Sequence, residues 1–465
     1  MSGLFHYYVA KFTLTHFTLT IMFRKTSIII TLGPATDSPE RLAELIDSGV
    51  NVFRLNMSHA QHDWCRQAVH HIRSIAREKA KHVAVLFDLQ GPSIRTGDLD
   101  APYQLEIGDR FEIRKRSEEP TIPFSTTVNY EGMMDDVAAG ATLVVDNGTM
   151  LMKIVEKNDN NLICDVLTAG KIGNRRHINL PGTRLNLPAL TTKDHEDLAV
   201  AVECKADFIA GSFVRDADHV NELRSEMEKL GGNSQLISKV EDQEAIKNID
   251  DIIVASDVIM IARGDLGIEV HVEELPIIQR QIVKRCHVLG RRVIVATHML
   301  ESMITNPMPT RAEVSDVANA VMDYTDAVML SAETAVGDYP TEAVEAMVRI
   351  CLGAERHPSM HQSKHRIHES MERVDEAIAL SAMYAANHMT GITAIACMTS
   401  SGYTPLIASR IRSGLPIVGL AHTPIAQRRM ALYRGVVSLP FDTSAMSATE
   451  LNDEALTLLV KQGVG

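Results

Sequence analysis

Short apolar runs rich in β-branched residues recur along this chain, with helix-like patterns in the intervals. The runs are SIIITLG (27–33), VNVFRLN (50–56), VAVLFDLQ (83–90), DFIAGSFV (207–214), LISKVE (236–241), VIMIARGD (258–265), RVIVATHM (292–299) and DAVMLSAE (326–333). Nearly continuous apolar strands belong in a parallel sheet buried on both faces. Strands alternating with helices make βαβ units, and eight in succession predict an α/β fold, a (β/α)8 TIM barrel. The helices carry marks of their own. In PTRAEVSDVANAV, Thr310 and Glu313 form a capping box behind Pro309. Val314, Val317, Ala318 and Val321 then make an apolar stripe at helical spacing.

The rhythm breaks once, between the third run and the fourth. YQLEIG, RFEIRK, ATLVVD and NLICDVL alternate with period two there, with the turn signal DNG among them. They predict an inserted β-barrel or sandwich domain. Leaving from the C-terminal end of a barrel strand, it should overhang the mouth as a lid. After the eighth run helices continue to about residue 390, and ITAIACMT, PIVGLA and VVSLPF predict a further α/β domain. The expected division is an N-terminal extension (1–21), a barrel (22–92 and 189–350), an inserted β lid domain (93–188) and a C-terminal α/β domain (351–465) that reads as incomplete.

Composition narrows the picture. A formal charge of −13 argues against a general surface for nucleic acid or anionic membrane, though not against a locally basic pocket for a small anion. No apolar run reaches the length of a membrane span. The six cysteines form no C-x-x-C pair, which places the chain in a reducing cytoplasm with free thiols. The first 21 residues contain no acidic residue and no arginine. A transit peptide would be Arg-rich, so the segment reads as an extension without a role, with Met22 as the start.

Polar and charged residues gather where the runs end. These are Arg54, Asn56 and Ser58; Asp88, followed by Arg95; Lys239 and Glu241; Gly264 and Asp265; Thr297; and Ser331 and Glu333. Lys239 and Glu241 stand two apart and share a side of their strand, as do Arg54 and Asn56. One such pair could be a structural ion pair. Charges at most strand ends, always the same end, point to chemistry at the C-terminal face. Glu241 and Asp265 are hard oxygen ligands suited to Mg²⁺ or Mn²⁺. Arg54, Arg95 and Lys239 suit a phosphate. No zinc-spaced His/Cys cluster, G-x-S-x-G, Walker A loop or G-x-G-x-x-G occurs. A metal, arginines and a lysine without a nucleophile fit phosphoryl transfer. Arg263-Gly264-Asp265 also spells an adhesive tripeptide, which would require an exposed loop.

The segments TLGPAT, NVFRLNMSH, DLQGPSIRTG, INLPG, ISKVE, IMIARGDLGIE, ATHMLESMITNPMPTRAEVSDVANAV and TDAVMLSAETAVGDYP, in this order, resemble the pyruvate kinase family over residues 24–460. The resemblance implies Mg²⁺-dependent transfer of phosphate from phosphoenolpyruvate to ADP, giving pyruvate and ATP, the final step of glycolysis. It implies that Lys239 stabilises the transferring phosphoryl group and that Glu241 and Asp265 hold Mg²⁺ or Mn²⁺. Arg54, Lys239, Gly264, Asp265 and Thr297 match substrate-contacting positions, Thr297 near enolate protonation. Asn56, Ser58, Asp88 and the carbonyl of Leu89 match a K⁺ site. Positions 54 to 59, with Asn56 and His59 among them, and Arg95 and Arg176 match nucleotide-facing positions. The resemblance also implies a homotetramer, a cytoplasmic location and a site for a sugar-phosphate or nucleotide effector.

The chain departs from the family pattern in four places. Ser93 stands where a glutamate goes with K⁺ dependence and a lysine with independence; a serine supplies no charge, so K⁺ dependence is expected. His298 replaces a glutamine beside Thr297, as a neutral hydrogen-bonding substitute or a titrating group. Arg176 replaces a lysine. Tyr403 replaces a common arginine in the loop TSSGYTP (399–405), a strand-to-helix turn suited to phosphate, and the family usually continues beyond KQGVG. A metal-dependent lyase acting on pyruvate enolate and a non-catalytic paralogue remain the competing classes. A lyase needs no nucleotide lid, so the inserted domain discriminates against it.

Overall fold

All eight expected strands form. They are Ser27–Thr31, Val52–Asn56, Ala84–Asp88, Phe208–Gly211, Gln235–Val240, Val258–Ala262, Arg292–Ala296 and Ala327–Leu330. In the computed structural model they close into a barrel in chain order. The structure describes residues 7–11, 23–146, 148–361, 373–442 and 446–463. Asn147 of the DNG turn, most of the extension, Met22, and the last two residues of KQGVG lie outside the described residues. The strands are buried on both faces, with Ile28, Ile29, Ile30, Val293, Ile294 and Val295 at 0% exposure, as continuous β-branched runs require.

Four side chains pin the barrel's register at its N-terminal end. Asn51, Asp207, Asp257 and Asp326 each precede a strand by one residue. Each accepts the N–H of the preceding strand: Ile28 at 2.9 Å, Val85 at 3.0 Å, Leu236 at 2.9 Å and Val293 at 2.9 Å. The pins tie strand one to two, three to four, five to six and seven to eight. Polar residues at this face serve stability, leaving the opposite face for chemistry.

The chain divides into two compact units, Met1–Phe87, Glu203–Ile209 and Val283–Gly465, and Asp88–Val202 with Ala210–Ile282. In the first, the helix Arg311–Met322 carries the expected capping box. Its buried stripe is Val317, Ala320 and Val321, while Val314 is exposed. The helix is turned by about one residue position from the expected stripe, because Ala320 rather than Val314 meets the core. Helix Tyr403–Ser409 ends at Arg410, which is 2% exposed and paired with Asp326, also fully buried. Arg410 Nη1 donates to Asp326 Oδ2 at 3.0 Å and to the Arg291 carbonyl at 2.9 Å. Burial would raise the Asp326 carboxyl, but Arg410 holds it below the usual range. Burial, then the Arg410 charge, push neighbouring His287 down to about 3.

The C-terminal sheet runs parallel through Ile392–Thr399, Ile417–Ala421 and Val436–Pro440. A fourth strand, Tyr7–Lys11, comes from the extension and pairs antiparallel with the first of these, Tyr7 opposite Cys397 and Lys11 opposite Ile392, with a bulge between Val9 and Lys11. Five residues of the extension thus occupy a sheet edge. In the loop TSSGYTP, Gly402 takes φ +90° and its N–H donates to Thr399 Oγ1 at 2.8 Å. Burial and a bond to Asp375 push the Tyr403 phenol up to about 12, and the Arg373 guanidinium lies 5.6 Å from the ring.

In the second unit a seven-stranded sheet is ordered Ile94–Arg95, His177–Asn179, Thr142–Val145, Met150–Lys157, Asn161–Val166, Arg110–Arg114 and Ser125–Thr127. Phe111, Ile113, Leu143, Met152, Ile154 and Cys164 form its core. The two segments that enter and leave this inserted domain pair antiparallel, His177 opposite Arg95 and Ile178 opposite Ile94. Glu112, buried on the face of its strand opposite Phe111 and Ile113, accepts from Thr121, Ser125 and Asn161, which holds its carboxyl below the usual range against the cost of burial. Among the described residues no helix is long and apolar enough to cross a membrane.

Candidate active site

The second unit brings a lysine and two carboxylates together where the strands end. Lys239 lies on Gln235–Val240, opposite Met260 of the next strand, and Glu241 stands one residue past its end. Lys239 Nζ lies 2.8 Å from Glu241 Oε1 and 3.4 Å from Asp88 Oδ1, and donates to Ser212 Oγ at 2.7 Å. Both carboxylate side chains are 1% exposed. Ser212 Oγ in turn donates to the Leu89 carbonyl at 2.8 Å. The close passage leaves no room at Gly91, where a Cβ would meet Ser212 Cβ at 2.7 Å and where φ is +70°.

Glu241 Oε2 accepts the Phe213 backbone N–H at 2.6 Å. Burial raises the Glu241 carboxyl to about 7; Lys239 opposes the rise and the Asp265 charge adds to it. One ammonium thus faces two buried carboxylates, with the Asp265 charge close enough to act on Glu241. Breaking even for such a cluster needs further cation charge. Among the described residues no three His, Cys, Asp or Glu side chains stand at metal-binding distance. Two carboxylates without a His/Cys cage fit Mg²⁺, which takes one or two protein carboxylates and fills its octahedron with water and phosphate oxygens.

The tripeptide Arg263-Gly264-Asp265 is not an exposed loop. The sixth strand ends at Ala262, not Asp265, and helix Arg263–Glu269 begins immediately. Arg263 is buried and its Nη1 donates to the Gln279 amide oxygen at 3.4 Å. Asp265 sits in the first helical turn, where the helix dipole favours an anion. His177 Nδ1 of the inserted domain lies 3.8 Å from Asp265 Oδ1. Burial lowers the pKa of His177, with Asp265 opposing.

The two expected arginines of the inserted domain are held by partners within that domain. Arg95 Nε donates to Ser93 Oγ at 3.2 Å and its Nη1 to the Arg175 carbonyl at 3.1 Å. Ser93 is therefore buried against a guanidinium rather than left as an uncharged gap. Arg176 Nη1 pairs with Asp146 Oδ1 at 3.2 Å, half exposed.

Beside this neck lies a cavity of about 310 Å³ lined by Ile94, His177, Asn179, Phe213, Arg215 and Glu269, among others. Asn179 Nδ2 donates to Glu269 Oε1 at 3.0 Å, while Asn179 Oδ1 is buried without a hydrogen-bond partner. Burial raises Glu269 to about 7 from an ordinary value of 4.5. Folding therefore favours its protonated form: the stability it contributes is complete below pH 4.5 and is lost as pH climbs through about 7. Glu269→Gln is expected to raise Tm by roughly 2–6 °C at pH 8 and to change it little at pH 5, from a penalty of about 1–3 kcal/mol. Scanning calorimetry at both values checks this; the same shift at both would refute it.

The remaining expected residues lie in the first unit. Arg54 is buried on Val52–Asn56 and donates to Thr31 Oγ1 at 2.9 Å. Asn56 Oδ1 accepts the Ser58 N–H at 3.2 Å, and the His59 N–H reaches the Asn56 carbonyl at 3.1 Å, forming one turn. Thr297 and His298 have φ of +67° and +54° in succession, directly after the seventh strand. For branched or bulky residues this costs on the order of 1–3 kcal/mol each, and such strain concentrates at functional sites. Thr297 Oγ1 is held by the Ala296 carbonyl at 2.6 Å.

Four residues of the Lys239 neighbourhood escaped the sequence reading: His177, Ser212, Phe213 and Glu269. The strand-end rule applied to DFIAGSFV points at Ser212, and period two from Asn179 points at His177. Nothing in the sequence marks Phe213, whose part comes from its backbone.

The chain matches the model of the pyruvate kinase barrel domain over residues 23–344 and that of the pyruvate kinase alpha/beta domain over 376–465. It is 45% identical to pyruvate kinase II of Salmonella typhimurium over 445 residues, covering 95% of this chain and 92% of that protein. It is 39% identical to the pyruvate kinase of Geobacillus stearothermophilus, covering 95% and 76%. A crystal structure of a pyruvate kinase from Cryptosporidium parvum superposes with a TM-score of 0.89 at 35% identity, covering 95% of this chain and 92% of that one. With a closed parallel barrel, an α/β domain after it and relatives this close over nearly its whole length, the chain belongs to the pyruvate kinase family of phosphotransferases.

Proposed function

We propose that this chain transfers the phosphoryl group of phosphoenolpyruvate to ADP, giving pyruvate and ATP. The observation that carries the proposal is the Lys239–Glu241–Asp88 cluster, with Lys239 Nζ 2.8 Å from one buried carboxylate and 3.4 Å from another. Phosphoryl transfer needs little covalent help; it needs charge placed where the transferred group develops its own. Lys239 would meet the phosphoryl oxygens, held by Ser212 and the two carboxylates against drifting to solvent. Glu241 and Asp265 would hold Mg²⁺ or Mn²⁺, which when bound neutralises phosphate charge and polarises the bridging oxygen. Asn56, Ser58, Asp88 and the Leu89 carbonyl would hold K⁺; the last already accepts from Ser212.

Arg54 would fix the substrate phosphate, and Gly264 with Asp265 its carboxylate. Thr297, strained and held by the Ala296 carbonyl, would orient the proton delivered to the enolate, with His298 beside it. His59, Arg95 and Arg176 would face the nucleotide, residues 93–188 acting as the lid. A cytoplasmic homotetramer with a sugar-phosphate or nucleotide effector at 399–405 completes the reading. There Tyr403, bonded to Asp375, stands where an arginine would serve a phosphate better.

A coupled assay with phosphoenolpyruvate, ADP and Mg²⁺ tests the proposal. Pyruvate should form, and activity should fall at least about tenfold when K⁺ is replaced by a large organic cation, since removing one group that stabilises developing charge costs about 10²–10³ in kcat. No pyruvate, or pyruvate released without ADP by hydrolysis of the phosphate ester, would defeat it; retro-aldol cleavage without ADP would favour a lyase.

A further inference from the structure

Phe213 makes contacts on both sides of the cluster. It follows the strand Phe208–Gly211 and takes φ +53°, a conformation that a bulky side chain rarely adopts. That backbone turn aims its N–H at Glu241 Oε2, 2.6 Å away. The same turn presents its ring to the inserted domain, where the His177 ring lies 5.8 Å away at a 60° tilt. His177 in turn stands 3.8 Å from Asp265 Oδ1. The Phe213 backbone thus meets one proposed metal carboxylate and the His177 ring stands near the other, while the two rings face each other. Both residues line the cavity of about 310 Å³ described above.

We propose that Phe213 is a positioning residue through which the inserted domain sets the metal carboxylate Glu241, with His177 as the contact on the inserted domain. The inference rests on the reading of Glu241 and Asp265 as metal ligands. When the His177 ring is in place it closes the way to the cavity, the Phe213 turn holds its strained form, and its N–H keeps Glu241 oriented. When the inserted domain withdraws His177, the Phe213 ring gains room, the turn relaxes towards φ below zero, and Glu241 loses its donor. Metal affinity then depends on where the inserted domain stands, with no residue of that domain acting as a ligand.

The test is Mn²⁺ binding to the full chain, read as loss of the free-ion electron paramagnetic resonance signal, so it does not depend on turnover. Phe213→Ala is expected to weaken Mn²⁺ about tenfold, the usual cost of losing a partner that orients a ligand. Phe213→Leu, which fills the same space, should stay close to the parent protein. His177→Ala should weaken binding comparably, and the double variant should be no worse than either single one. His177→Phe keeps a ring against Phe213 without an imidazole and should restore affinity. Additive losses, an unchanged Phe213→Ala, or failure of His177→Phe to restore binding would overturn the inference. Should Phe213→Ala not fold, the two His177 variants decide the matter alone. A parent protein that binds no Mn²⁺ would instead refute the metal-ligand reading beneath it.

Discussion

Lys239→Met is expected to lower kcat by at least about 10³-fold, the scale seen when a charge that meets a developing phosphoryl group is removed. Methionine keeps the unbranched stem and the volume, so the strand should survive. The ammonium is lost between Glu241 and Asp88, each 1% exposed. Lys239 is also the largest influence holding Glu241 down against burial. Its removal should push that carboxyl above 7, so the variant should bind Mn²⁺ poorly at pH 7 and better at pH 8.5. Steady-state assay and Mn²⁺ titration at both values separate lost charge stabilisation from a merely empty metal site. A variant retaining a tenth of parental kcat with metal saturated would sink the assignment.

Arg410→Ala should cost about 3–5 kcal/mol, because it leaves Asp326 buried without its cation. The pair is fully enclosed, and the carboxylate also carries the Val293 N–H pin of the barrel's seventh strand. Asp326→Asn in the same background should recover part of the loss, since an amide keeps the acceptor and drops the charge. Urea unfolding of the parent, the two single variants and the double variant gives the coupling. A single-variant loss under about 1 kcal/mol would show that the pair is replaceable.

The barrel was legible because a strand buried on both faces must be written in β-branched residues, and eight such runs stand apart from helical ones. The four base pins show only as an Asn or Asp before a strand, and they acquire meaning once the next strand is known to lie alongside. Lys239, Glu241 and Asp88 were legible because charge on a buried strand needs a reason. What stayed hidden depended on backbone direction. The chain turns into a helix at Arg263 instead of extending the strand, so an adhesive-looking tripeptide is half buried. Phe213 acts through its N–H and its φ, neither of which a side-chain inventory records. Val314 fits the helical period but loses its place in the core to Ala320, a difference of rotation that spacing alone does not fix. The extension's strand escaped because five residues without a partner in view carry no period worth reading.

The base pins and the edge strand also set an order of assembly. Each pin joins consecutive strands; the pins at Asn51, Asp257 and Asp326 close short stretches and can lock as soon as each is made, whereas Val85 and Asp207 stand 122 positions apart and wait for the inserted domain. Closing the ring needs Ile28 beside Val328. The edge strand waits longer still, since Tyr7 pairs with Cys397, about 390 positions away. At ribosomal speeds of about 5–20 residues per second, that first-made strand spends on the order of 20–80 s with its backbone unpaired. The last step of folding would then be the docking of the earliest residues, and crowded synthesis would be when their edge is most open to a wrong partner.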